Sequence, residues 1–411
     1  MEIRPILSAL LRNKTGPVLV AIQVALSLGI LANALHIVQV RQAVSARPSG
    51  LEREEDIFVL TVRHLKQGGH EEQLATQRRD TAALRAVPGV LSVAETSQMP
   101  LSRSGNYTGL AVDRKQTRTT AQSTSYHTAD SLVKTWGLKL VEGRDFYPNE
   151  VPEIDTTTSD DFPKVGIVSR SLAEKMWPGQ SSYVGKTVYF GTGDKSRSVQ
   201  VVGVVDRLQT PGAQIGDTGE YSIITPTRLT GIAVTHYTMR AEPGQLDRVM
   251  KETAETIRTA SPTPVVTRAR SVSEMRAERY RADNALAWML VTVSVLLLLI
   301  TASGIVGMAS LWVTQRRKQI GVRRALGARR IDILRYFITE NFMITSAGVA
   351  AGLLIALGLN QMLVSQLEMP RLPAGYLLGG AAIFWALGLS AVYGPAWRAA
   401  SISPATATRS A

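Results

Sequence analysis

Apolar residues along the 411-residue chain gather near its two ends and leave a polar middle of roughly 240 residues, the size of one large domain. The run from Gly16 to Val40 contains no Lys, Arg, Asp or Glu. Three further runs lie near the other end, from about Asn284 to Val313, Phe337 to Leu363 and Ala374 to Trp397, with Pro370 and Pro373 marking a short turn before the last. A hydrocarbon core of about 30 Å takes about 20 helical residues to cross, so each run predicts a transmembrane helix. The second is longer than that: at about 1.5 Å per residue it reaches about 45 Å, and it continues into the charged, helix-favouring segment Val272 to Asp283. The excess predicts a stalk beyond the membrane, shared with the end of the first span. That first run exceeds a usual signal-peptide core and ends in Ala34-Leu35-His36-Ile37-Val38 without a small-x-small cleavage site, which makes it a retained anchor.

Inside the polar middle the period changes. Asp56 to Val62 and Val199 to Val205 alternate as strands do, while Gln73 to Ala86, Ser169 to Met176 and Leu246 to Ala260 are patterned as helices. The alternation predicts an α+β domain in two lobes, with the polar stretches Asp155 to Asp161 and Gln209 to Gly219 as surface loops. The fold class is therefore a membrane protein of four transmembrane α-helices plus an extracytoplasmic α+β domain.

Charge sets the orientation. The loop between the second and third spans carries Arg316, Arg317, Lys318, Arg323, Arg324, Arg329, Arg330 and Arg335, whereas the next loop carries only Arg371. Basic short loops face the cytoplasm. Both termini then lie inside, in keeping with Arg4, Arg12 and Lys14 at one end and Arg398 and Arg409 at the other. Residues 1–40 comprise the cytoplasmic N-terminus and first span, 41–283 the external domain with its stalk, and 284–313 the second span. Residues 314–336 form a cytoplasmic elbow, 337–397 the third and fourth spans, and 398–411 a cytoplasmic tail.

The net charge of +13 does not indicate nucleic acid, because its densest cluster abuts a hydrophobic span and no aromatic-basic platform accompanies it. With no Cys, disulfides, thiolate zinc sites and thiol nucleophiles are excluded. His36, His64, His70, His127 and His236 form no H-E-x-x-H pair and suit exposed loops, with His36 a helix-contact or interfacial residue, and no G-x-S-x-G elbow occurs. Neither a catalytic residue nor a metal site is predicted. Gly179 to Thr187 resembles a phosphate-binding loop, yet five residues rather than four separate its first Gly from Gly185-Lys186-Thr187, and a helix precedes it where a strand should. The central portions of the four spans lack ionisable groups, which argues against a substrate or proton path through them. Gly348 with Gly352 and Gly375 with Gly379 have the four-residue spacing that lets helices approach.

The segment from Gln315 to Phe337, QRRKQIGVRRALGARRIDILRYF, closely resembles the sequence after the second transmembrane helix of MacB-like permeases, also called FtsX-like permeases. Gly394 to Ala405 resembles that family's C-terminal signature. Trp136 to Phe146, Val168 to Lys186 and Val201 to Val205 resemble its periplasmic core domain. The resemblance implies a permease of the bacterial inner membrane, homodimeric or paired with a paralogue. It also implies partner ABC ATP-binding subunits holding ATP and magnesium, and no cofactor in this chain. In such proteins nucleotide-driven closure is relayed by long helices to the external domain, most often for export of peptide, drug or lipid-like substrates, in some cases with a membrane-fusion adaptor; lipoprotein extraction and regulation of an envelope enzyme are the alternatives that the resemblance leaves open. The chain begins about fifteen residues before its first span, so the ATPase is expected on another polypeptide.

Within the elbow, Gln315 to Leu326 should continue helically from the membrane, Gly327 should end that helix in the left-handed conformation, and Asp332 should lie in the first turn of the next. The resemblance assigns ATPase coupling to Gly321, Arg323, Arg324, Leu326, Gly327 and Asp332, while Arg316, Arg317 and Lys318 are expected only to anchor topology. Gln319 stands where the family commonly has Glu, and Arg329 where it has a Ser or Thr cap. A transmembrane sensor shares the anchor, external domain and return helix but would end in a signalling domain. A membrane hydrolase would need a nucleophile or metal set.

Overall fold

A computed structural model of the chain describes residues 10, 14–103, 105–367 and 370–401. Arg4, Arg12, Arg409, the signature residues Ile402 to Ala405 and the rest of the tail lie outside the described residues. The chain divides into two compact units, Val44–Ala282 and the pair of segments Met1–Ala43 with Asp283–Ala411.

After α1 (Thr15–Ser45) the chain runs through β1 (Ile57–His64), α2 (His70–Arg85), β2 (Val90–Thr96), β3 (Tyr107–Ala111), β4 (Ala121–Thr128), α3 (Leu132–Trp136) and β5 (Leu140–Gly143). Then come β6 (Glu153–Asp155), β7 (Val165–Ser169), α4 (Arg170–Met176), β8 (Thr187–Phe190), β9 (Arg197–Val205), β10 (Ser222–Pro226) and β11 (Arg228–Thr230). The unit closes with β12 (Thr235–Ala241), α5 (Leu246–Ala260) and β13 (Val265–Ser271).

Two lobes result. The first is an antiparallel sheet in the order β13-β1-β12-β2, the split βαβ arrangement of ferredoxin-like folds, with β3 to β11 inserted between β2 and β12. Both faces of β1 are buried, because Phe58, Leu60 and Val62 pack with Leu84 of α2 and with Val249 and Ile257 of α5, while Ile57 and Val59 join a cluster with Trp136. The inserted strands form a second sheet in the order β5-β9-β7-β10-β4-β3-β8, and β8 also pairs with β9. Six strands thus close into a small barrel with β5 attached to its side. Leu110, Val168, Val188, Val199, Val201 and Ile223 gather in one buried cluster, which α4 joins through Leu172, Ala173 and Met176.

Between the lobes Trp136 is fully buried and donates its indole N–H to Thr238 Oγ1 at 2.8 Å. Its ring meets Tyr126 edge-on at 5.4 Å, and the Tyr126 hydroxyl donates to the Gln209 carbonyl at 2.7 Å. That contact corrects one expectation. Much of Gln209 to Gly219 is not a surface loop: Gln209, Thr210 and Ala213 are buried, and only Gly216 to Thr218 are open. Its backbone is satisfied from within, Gln209 N by Ser49 O at 2.9 Å and Thr210 N by Gly219 O at 2.8 Å, which is what allows a polar, irregular segment inside.

The histidines need a similar correction. His64, His127 and His236 lie in β1, β4 and β12 and His70 opens α2, and each has a side-chain partner: Asp80, Thr225, Thr61 and Thr230 respectively. Alternating strands hide a polar ring as readily as an apolar one when a hydroxyl or carboxylate faces it.

The other unit holds most of α1 and of α6 (Val272–Gln315), with α8 (Arg330–Leu367) and α9 (Ala374–Ala400); all four helices are long and apolar enough to cross a membrane, and α7 (Arg317–Ala325) lies between α6 and α8. Val20, Val24, Leu28 and Leu31 recur on one face of α1 and pack with Ile305 of α6, Ile344 and Val349 of α8 and Phe384 of α9. A Cβ on Gly348 would lie 2.8 Å from the Ala21 carbonyl and one on Gly352 would lie 3.0 Å from that of Ala25, so this pair brings α1 and α8 together. Gly375 and Gly379 face open space and do not. Polar contacts cross the same interfaces: Ser27 to Thr301 at 2.8 Å, Asn33 to the Ala356 carbonyl at 3.0 Å and Asn341 to the Gly388 carbonyl at 2.9 Å. His36 is a buried helix contact, tilted against Tyr376 at 5.4 Å.

Candidate functional site

Of the ten charged residues between Thr314 and Glu340, eight are basic and two, Asp332 and Glu340, are acidic. The segment does not run on from α6 as one helix. The backbone bends at Arg316, which has φ −97° and ψ 10°, and α7 starts afresh at Arg317, although Arg316 N still donates to Trp312 O and Ile320 N to Arg316 O, both at 3.0 Å. Arg316 turns back to Glu340 of α8, Nη1 to Oε2 at 2.7 Å, with the carboxylate buried. Arg316 therefore does more than anchor topology, since removing it would leave a buried carboxylate without its cation.

The other end of α7 follows cap chemistry. Gly327 has φ +95°, a conformation in which a Cβ is strained, and there Ala328 N donates to Arg323 O at 3.0 Å and Gly327 N to Arg324 O at 3.2 Å. At the next helix the Asp332 carboxylate accepts from Arg329 N at 3.0 Å, the half of a capping box that does not need a hydroxyl at residue 329. Ile320 and Gly321 of α7 and Ile333, Leu334 and Phe337 of α8 are buried and hold the two helices in place.

The residues singled out from the sequence separate accordingly. Gly321 is a packing position. Arg323 lies with its guanidinium 5.2 Å above the Tyr336 ring, and Arg324 donates to the Ala328 carbonyl at 3.2 Å, so part of each side chain serves the elbow itself. Leu326, Gly327 and Asp332 are exposed at the turn, with Leu326 at 83% and the neighbouring Val322 at 54%. Tyr336 and the Arg316–Glu340 pair were missed. The available signal was Glu340 itself, one carboxylate just inside an apolar run that follows a basic loop.

The Gly179 to Thr187 stretch is a turn between α4 and β8, and several of its amides are already occupied. Tyr183 N and Val184 N donate to Glu142 Oε1, both at 3.0 Å, and the Ser182 hydroxyl donates to the same oxygen. Burial alone raises the Glu142 carboxyl, but these bonds, from Ser182 and then the amides of Val184 and Tyr183, hold it below the usual carboxylate range. Lys186 faces Trp177, 5.8 Å from the ring centroid. Elsewhere in this unit burial pushes His127 down to about 4 and Glu95 up to about 8, the latter against the pull of Arg228 at 3.2 Å. Among the described residues no group of three or more His, Cys, Asp or Glu is placed to hold a metal ion.

Residues 23–260 match the MacB-like periplasmic core domain, and residues 291–404 match the FtsX-like permease C-terminal domain. Similar curated proteins include the macrolide export ATP-binding/permease protein MacB of Marinobacter nauticus, 26% identical over 275 residues, which covers 61% of this chain and 38% of that protein. The pyoverdine export ATP-binding/permease protein PvdT of Pseudomonas syringae pv. syringae is 28% identical over 259 residues, covering 60% of this chain and 38% of its own. MacB of Bradyrhizobium diazoefficiens is 29% identical over 240 residues, with 56% and 35% covered. The chain thus spans little more than a third of the length of these relatives.

Proposed function

Because the chain belongs to the MacB-like permease family of ABC transporters, we propose that it is the membrane subunit of an exporter driven by a separate ATP-binding subunit. It works beside a second permease copy or a paralogue, and the partner holds ATP and magnesium. In this reading both termini are cytoplasmic, residues 41–283 lie outside the inner membrane, and the elbow is the handle on which the ATPase acts. The carrying observation is the Gly327 turn, where Leu326 and Val322 present apolar side chains amid arginines. A capped, internally packed turn with open apolar residues suits docking by a protein groove that is apolar within and acidic at its rim.

The length of α6 supports a mechanical relay. Its 44 residues form one helix from Val272 to Gln315, about 66 Å at 1.5 Å per residue, more than twice a hydrocarbon core. Helical hydrogen bonding resists compression, so force applied beside Gln315 can reach Val272 without cargo entering the apolar bundle. Export of small amphipathic or peptide-like compounds, in line with the macrolide and pyoverdine export named for the relatives, is the proposed role, with a membrane-fusion adaptor as a further partner.

Co-expression of the full chain with an ATP-binding subunit of its own genome tests this. The subunit should co-purify, and Leu326→Glu should weaken its retention about tenfold, as expected for losing one buried leucine and placing a carboxylate there. Equal retention by wild type and variant, together with ATP hydrolysis that the permease does not stimulate, would refute the docking role.

A further inference from the structure

The inner face of the elbow has a different character from the turn. Arg316 at the bend and Gln319, Ile320 and Arg323 of α7 recur at helical spacing on the side that faces α8, where Ile333, Tyr336 and Phe337 complete a cleft. Its floor is apolar, since Ile320, Ile333 and Phe337 are all buried. Its rim is polar and basic. Arg316 is bound to Glu340 through Nη1, Arg323 has only the Tyr336 ring and no carboxylate beside it among the described residues, and Gln319 has no side-chain partner there.

The level of this cleft in the membrane is marked independently. Trp312 packs near the end of α6, and Tyr393 and Trp397 stack at 6.2 Å on the end of α9, exposed at 53% and 52%. The last turns of α9 share a buried cluster with Ile320 through Ala396 and Ala400. Trp and Tyr collect at the boundary between hydrocarbon and headgroups, so the cleft opens at headgroup height. The segment from Thr314 to Glu340 that builds it carries eight basic and two acidic residues, a net charge of +6.

We propose that this cleft binds the phosphate of an anionic phospholipid, with the Arg323 guanidinium and Gln319 amide as donors and the glycerol end of the acyl chains over Ile320, Ile333 and Phe337. A soluble anion would gain the charge but not the apolar floor, and a zwitterionic lipid the floor but not the net charge. The lipid lies on the inner face of α7, whereas Leu326 and Val322 face outward, so it would brace the elbow from the membrane side. The site stands apart from the docking role, although Arg323 contributes to both.

The test uses the full chain without any ATP-binding subunit, so a failure here is separable from a failure of docking. The protein is reconstituted into nanodiscs of mixed phosphatidylcholine and phosphatidylglycerol, re-extracted in neutral detergent, and its retained lipid quantified by mass spectrometry. Wild type should retain phosphatidylglycerol in excess. Arg323→Gln and Gln319→Glu should each lower that retention about fivefold, the effect of roughly one juxtamembrane charge. Arg371→Gln, on the other short loop, should leave it unchanged, and size-exclusion profiles should show all variants folded. Equal retention of both lipids by wild type, unchanged retention in both cleft variants, or displacement of the lipid by millimolar inorganic phosphate would each overturn the proposal.

Discussion

Substitution of Gly327 separates the shape of the elbow from its charge and its packing. Among the described residues an added Cβ meets no atom within 4 Å, so no clash contributes and the cost comes from the backbone at φ +95°. For alanine that cost is about 1 kcal/mol; for valine, whose branch crowds the left-handed region further, it is about 2 kcal/mol; asparagine is tolerated best. The turn is held by the Arg323–Ala328 and Arg324–Gly327 backbone bonds, each worth about 1 kcal/mol, so valine is enough to shift the segment out of it and re-aim Asp332 and the start of α8. The assay is ATP hydrolysis by the co-reconstituted ATP-binding subunit, measured as stimulation over its basal rate. Stimulation should fall in the order glycine, asparagine, alanine, valine, with Gly327→Val lower by about fivefold or more, while the chain still inserts into the membrane. Equal stimulation across the four, or a loss that tracks side-chain size and leaves asparagine as poor as valine, would refute a role for the left-handed turn.

An enzyme reporter active only outside the cytoplasm should work when inserted at the exposed Gly216 and fail at Gly327; the reverse result would invert the topology. Acid should destabilise the Val44–Ala282 unit through His127. Burial lowers its folded pKa to about 4, so between pH 6.5 and 4 the unfolded chain takes up a proton that the folded one refuses, and stability falls as pH falls through that window. His127→Gln, followed by thermal unfolding of the full chain in detergent, should lose less stability on acidification, by up to about 3 kcal/mol. Glu95, raised to about 8 by burial, acts in the opposite sense and is common to both proteins, so an unchanged pH dependence in the variant would count against His127.

The long-period patterns were the most legible part of the sequence. The four spans carry their own apolar runs, and Leu246–Ala260 agrees with its periodicity residue for residue, because an amphipathic helix writes its core face into adjacent turns. The barrel left no such mark. Its closure depends on β8 pairing both β3 and β9, and β3 precedes β8 by about eighty residues, a separation at which no local pattern records the partner. The buried stretch at Gln209 misleads for a related reason: its polar composition is solved by distant groups, Ser49 and Tyr126. In the elbow, Gly327 and Asp332 could be read because caps are short-range chemistry. The Arg316–Glu340 pair could not, since a bend of one residue decides whether the arginine faces solvent or the next helix.

The position of β1 in its sheet also fixes an order of events on the ribosome. Phe58 pairs with Met239 on one side and Ser271 on the other, so the first strand to emerge has neither neighbour until about two hundred further residues have been made. The barrel strands from Tyr107 to Pro226 emerge earlier and bond chiefly among themselves, so they can complete their structure while β1 waits. During that wait Ile57-Phe58-Val59-Leu60 is an unpaired, highly apolar strand beside a nascent membrane anchor, a segment that invites misassembly with another chain. Holdase chaperones that favour extended apolar segments should therefore associate with this protein only until Ser271 has been made and β13 can pair, and a β1 that cannot pair should prolong that association rather than prevent the barrel from forming.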